Sequence, residues 1–143
     1  MQTIEASKAL ETIVASVAKQ EMRKPGPMKI GQRIHQGDVY LCLVADDHKR
    51  GPLLGTKQIA VGTTVGSRHV VEGDVQVFAG VELPKDMKIA SDVERSAYLG
   101  PVVVVGSEGT TLTHPEHAHH ELCEGVYQVT YQIDMATRMR VQD

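Results

Sequence analysis

From residue 28 onward the chain is a series of short segments with high β propensity, separated by glycine-centred breaks and with no helical pattern between them. No other feature restricts the fold as much. Short strands joined without crossover helices predict an antiparallel β-sandwich or barrel rather than a parallel α/β sheet. The expected strands are 29–35, 39–45, 57–61, 69–71, 75–81, 101–105, 110–113 and 126–133. In the last of these, Tyr127, Val129, Tyr131 and Ile133 fall on one face and Gln128, Thr130 and Gln132 on the other, the period of a half-buried strand. Residues 102–105 are a continuous apolar run, which suits a strand buried on both faces. QGD at 36–38, VEGD at 71–74 and SEGT at 107–110 carry hairpin-turn residues. The polar stretch 85–96 reads as a loop or a short helix.

Residues 1–24 follow a different rule. Ile4, Leu10, Ile13, Val14 and Val17 recur at helical spacing, with Thr3 or Ser7 as a cap, and Pro25, Gly26 and Pro27 form a linker after them. The reading is an N-terminal amphipathic helix over 1–24 and a single β domain over 28–143. A helix this short is marginal alone, so its stripe is expected to pack on its own domain or on neighbouring subunits in a homo-oligomer.

Composition removes several function classes. The 143 residues suit one domain, and with one Phe, four Tyr and no Trp the core must be aliphatic. A net charge of −3 leaves no concentrated basic face for nucleic acid. No apolar run approaches the roughly 18–20 residues that cross a bilayer. The start, MQTIEASKAL, lacks the pattern of a signal peptide. Cys42 and Cys123 are isolated from each other, which fits a reducing compartment. A cytoplasmic protein is the expectation.

The chemistry concentrates at 112–120, LTHPEHAHH, which holds four of the seven histidines. On a strand His114 and His117 would face opposite ways, but Pro115 favours a β-turn that swings both imidazoles to one side. His117 and His119, two apart, are the alternative pair on one strand face. A third ligand must come from elsewhere, and His69 and His35 are placed to supply it. Three imidazoles, or two and a carboxylate, make a zinc or non-haem iron site. Glu116, Glu121 and Glu124 are available as ligands or as a base for bound water. The competing reading is a polar turn tied down by hydrogen bonds from His114. Cys123 reads as a nucleophile or, more simply, as a small residue packed at a strand entry.

Two resemblances follow from these residues. His117, His119 and Glu124 are similar to the first part of the cupin signature, with Tyr131 where its glycine would stand and no second motif after it. QGDV at 36–39, the pattern G-x-x-x-G-x-x-H at 62–69, and LTHPEH with L-x-x-G-x-Y-x-V-x-x-Q at 112–132 together resemble a family of small uncharacterised bacterial and phage proteins. That resemblance covers about residues 36–132. Ser67 replaces the first histidine of the family's GHxH segment, and Cys123 replaces a proline. His69, His114, Glu116 and His117 match position by position. The resemblance implies a metal site at His69, His114 and His117, with Glu116 as a catalytic base, and implies no particular substrate. Two functions remain: a metal-binding β domain, in the enzymatic case a small metalloenzyme, or an oligomeric structural protein such as a phage particle component. A β-barrel would also have a mouth for a small ligand.

Overall fold

The computed structural model describes residues 22–24, 28–61, 68–85, 87, 95–134 and 139–140. The chain is mainly β, and its principal sheet curls into a half-barrel. The strands are β1 (Met22–Arg23), β2 (Arg33–Gln36), β3 (Val39–Val44), β4 (Arg50–Leu53), β5 (Gln58–Val61), β6 (Arg68–Gly80), β7 (Leu99–Thr113), β8 (His119–Leu122), β9 (Gly125–Tyr131), β10 (Ile133–Asp134) and β11 (Met139–Arg140). One helical turn, α1 (Arg95–Tyr98), precedes β7. Among the described residues no helix is long and apolar enough to cross a membrane.

β7 organises the sheet. One of its edges pairs along most of its length with β6, and the other is shared, with β9 beside residues 99–105 and β8 beside residues 110–112. The order continues from β9 to β3 and β2, while β4 and β5 add to the far edge of β6. All these pairings are antiparallel. The exception is β1, which runs parallel to β8.

The long strands correct the expected pattern. VEGD and SEGT are not hairpin turns, because β6 and β7 run through them without interruption. Gly73 (φ +117°) and Gly109 (φ +93°) instead lie at a bulge, where the register shifts between Gly73 and Val75. A turn and a bulge make the same demand for positive φ, so glycine marks both. QGD is the true hairpin turn: Gly37 has φ +56° and Gln36 pairs with Val39 across it.

The core is aliphatic and β-branched, as the composition requires. Tyr127, Val129, Leu41, Val103, Val71 and Leu112, all completely buried, belong to its larger cluster. Cys42, Val44, Val102 and Val126 form a smaller cluster on the opposite face of the sheet. β9 therefore has both faces covered, where alternation predicts a solvated one. Gln128, fully buried, donates from Nε2 to Gly100 O (2.8 Å) and Val129 O (2.9 Å), and its Oε1 meets His48 Nε2 at 2.9 Å. Polar residues on this face were burial-compatible because their hydrogen bonds are met inside.

Residues 1–21 of the expected helix lie outside the described residues, and Met22 and Arg23, assigned to its end, are strand. Both cysteines are free thiols. Burial pushes the Cys42 thiol up, against a smaller downward pull from the Arg33 guanidinium.

The two bulge glycines predict unequal costs. A Cβ at Gly73 would meet Gly109 O at 2.5 Å, whereas one at Gly109 meets nothing within 4 Å. Gly73→Ala should cost about 3 kcal/mol in urea unfolding, and Gly109→Ala about 1 kcal/mol from its positive φ alone. Equal losses would refute this account of the bulge.

Candidate functional site

Strand pairing brings the first two histidines together. Val70 of β6 pairs with Thr113 of β7, and Thr113 Oγ1 donates to Val70 O at 3.2 Å. The next antiparallel positions are His69 and His114. Their ring centroids lie 4.4 Å apart. After Thr113 the chain bends through residues 115–117. That bend carries His117 back over His114, with centroids 4.3 Å apart, and to 6.2 Å from His69, almost parallel to its ring. His69 and His114 are buried, while His117 is partly exposed and forms the cluster's border with solvent.

Two further residues come from the QGD turn. Gln36 and Asp38 are 1% and 2% exposed, as deep as the imidazoles themselves. Gln36 Nε2 donates to Ala118 O (2.8 Å) and Leu112 O (3.2 Å). Both partners are carbonyls, so the amide orientation is fixed and Gln36 Oε1 must face His69 Nδ1, 2.8 Å away. Nδ1 is then a donor. The other ring nitrogen, Nε2, lies 3.2 Å from Asp38 Oδ1, and a proton on that line makes the contact an imidazolium–carboxylate pair. Such a pair is costly to desolvate and depends on good hydrogen bonds around it. His114 has the opposite polarity. Its Nδ1 accepts the backbone N–H of Glu116 at 3.0 Å, so in the neutral ring the proton sits on Nε2.

The five residues Gln36, Asp38, His69, His114 and His117 thus form a buried, proton-rich network with one partly exposed member. Among the described residues, no three His, Cys, Asp or Glu side chains are arranged to hold a metal ion as they stand. The ring nitrogens explain this: both on His69 and one on His114 are engaged in hydrogen bonds.

The other candidates fall elsewhere. Glu116 is exposed and meets His114 through its backbone. His35 lies on the opposite face of β2 from Gln36, with its ring 6.1 Å from Tyr40. His119 and His120 open β8, and His120 borders a separate cavity with Arg23 and Arg33. Cys123 packs against the larger core cluster, and its carbonyl accepts the Tyr127 hydroxyl at 2.7 Å. Burial, and then the thiol at 3.1 Å, push the Tyr127 phenol well above its ordinary range. Cys123 is a packing residue here. Gln36 and Asp38 are the members that sequence reasoning missed. Their signal was the QGDV landmark itself, which turn chemistry had already explained.

The family model described as Domain of unknown function (DUF8820) matches residues 35–132. It covers well over half the chain, from the QGD hairpin to the end of β9, and the chain belongs to that family. No curated protein and no solved structure matches it.

Replacing the carboxamide tests the network. Gln36→Leu keeps a similar volume but leaves His69 Nδ1–H and the carbonyls of Leu112 and Ala118 without this partner. The expected loss is about 3 kcal/mol in denaturant unfolding, because buried donors and acceptors are left unmet. A loss below about 1 kcal/mol would mean that the amide does not organise the cluster.

Proposed function

We propose that this member of the DUF8820 family is a metal-binding β domain, with His69, His114 and His117 as imidazole ligands for one divalent ion, zinc or iron. The observation that supports the reading is the meeting of these three rings, from β6 and from the bend after β7, over a buried polar frame. The frame suits the role. Holding a ring by one N–H so that its second nitrogen is aimed is how proteins orient metal-ligating histidines, and Gln36 does this to His69. Asp38, beside Nε2 of that ring, adds an oxygen donor. Binding requires protons to leave: the one between His69 and Asp38 is displaced, and His114 exchanges its bond with Glu116 N–H for the ion. Glu116, exposed next to the cluster, is the candidate base for bound water, and the substrate is left open.

The untagged chain, purified and then equilibrated with Zn(II) or Fe(II), should hold one ion per molecule by elemental analysis, with proton release on binding. Its thermal midpoint should rise with the ion and fall again with a chelator. His117→Ala, at the partly exposed border, should fold and lose at least tenfold in affinity. No stoichiometric ion and no response to chelator would end this reading.

The second reading, an oligomeric assembly protein, draws on the apolar stripe between Ile4 and Val17, outside the described residues. Light scattering with and without residues 1–24 tests it. Assembly predicts an oligomer that the deletion dissociates, and a monomer in both cases would reject it.

A further inference from the structure

On the opposite face of β2 from Gln36 lies a cavity of about 190 Å³, lined by Gly31, Arg33, Cys42, Pro84, Lys85, Met87 and Thr130. Strand register builds it. Arg33 pairs with Cys42 across β2–β3, and Cys42 and Tyr40 pair with Gln128 and Thr130 across β3–β9, so Arg33, Cys42 and Thr130 share this face. The loop after β6 covers it with Pro84, which is buried, and brings Lys85 to the rim.

Three observations point to what the cavity takes. First, Arg33 and Lys85 approach it with no carboxylate partner among the described residues, in a chain of net charge −3 whose other cations are offset. Second, Thr130 is only 2% exposed, yet its hydroxyl has no hydrogen-bond partner among the described residues. A buried hydroxyl normally finds one, so its donor is left to whatever fills the space. Third, the volume is below the roughly 300 Å³ at which pockets for drug-sized molecules begin. Two cations, a buried O–H donor and a small volume match a compact, multiply accepting anion.

We propose that this cavity binds a small oxyanion of the phosphate class, with Arg33 and Lys85 supplying charge and the Thr130 hydroxyl a buried donor. The site is across the sheet from the histidine cluster and shares no residue with it, so the two stand or fall separately. Arg33 also borders a second cavity, of about 240 Å³, with Arg23, Lys24, His35 and His120. That cavity is the natural competitor, and its Lys24 lies 3.9 Å from Glu121, already offset.

The test is the thermal midpoint of the full chain titrated with inorganic phosphate against sodium chloride at matched ionic strength. Phosphate should give a saturable rise of roughly 4 °C at concentrations far above Kd. Lys85→Gln, an exposed change that does not threaten folding, should weaken phosphate binding at least fivefold. Thr130→Val, which keeps the shape of the side chain, should do the same, while Lys24→Gln should leave binding unchanged. A rise that does not saturate, or one that survives in both Lys85→Gln and Thr130→Val, overturns the proposal. So does a rise lost only in Lys24→Gln, which would place the anion in the neighbouring cavity.

Discussion

The candidate site depends on one carboxamide. Gln36 sits at the end of β2, yet its side chain fastens three other parts of the chain: the end of β7 through Leu112 O, the bend beyond it through Ala118 O, and the start of β6 through His69. Each hydrogen bond constrains the next. Because the amide nitrogen must serve two carbonyls, the amide oxygen has no choice of partner, and that decides which His69 nitrogen carries a proton. A neutral group thereby sets the protonation pattern of a buried charged pair. Hydrogen bonds in such low-dielectric surroundings reinforce one another, and the loss of any member is felt by all.

The same logic separates the two faces of β2. Its core-facing residues, Ile34 and Gln36, are buried, and the alternate ones, Arg33 and His35, are exposed. Four residues therefore contribute to two chemically opposite environments. One is a desolvated imidazole–carboxylate network that exchanges protons or ions, and the other is a cationic cavity with a lone hydroxyl. The period of two along a strand makes this division automatic.

Much of this was legible in the sequence, and the failures have a pattern. The strands around 39–44 and 125–131 follow from β-branched and aromatic residues, and the convergence of His69, His114 and His117 follows from a proline bend and a shared set of landmarks. The long strands were read as broken because Gly73 and Gly109 look the same in a bulge as in a turn. The second face of β9 was read as solvated because Gln128 and Thr130 are polar, although burial with partners is equally open to them. RGPL of β4 and HHEL of β8 have low β propensity, and tertiary pairing decided their conformation. Gln36 and Asp38 were hidden by a sufficient local explanation, since a hairpin turn needs polar residues whether or not they also serve a site.

The pairing of β3 with β9 joins positions as far apart as Val39 and Tyr131. Gln36 and Asp38 flank the start of β3, so that closure also carries them to the histidines, which lie between the two ends in sequence. Contacts of such long range form late and slow the folding of β proteins, since a long loop's entropy is lost before the contacts return anything. A partly folded chain without this closure retains the β6–β7 ladder and its two opposed histidines but lacks their partners. The chemistry of the cluster is therefore acquired together with the complete tertiary structure.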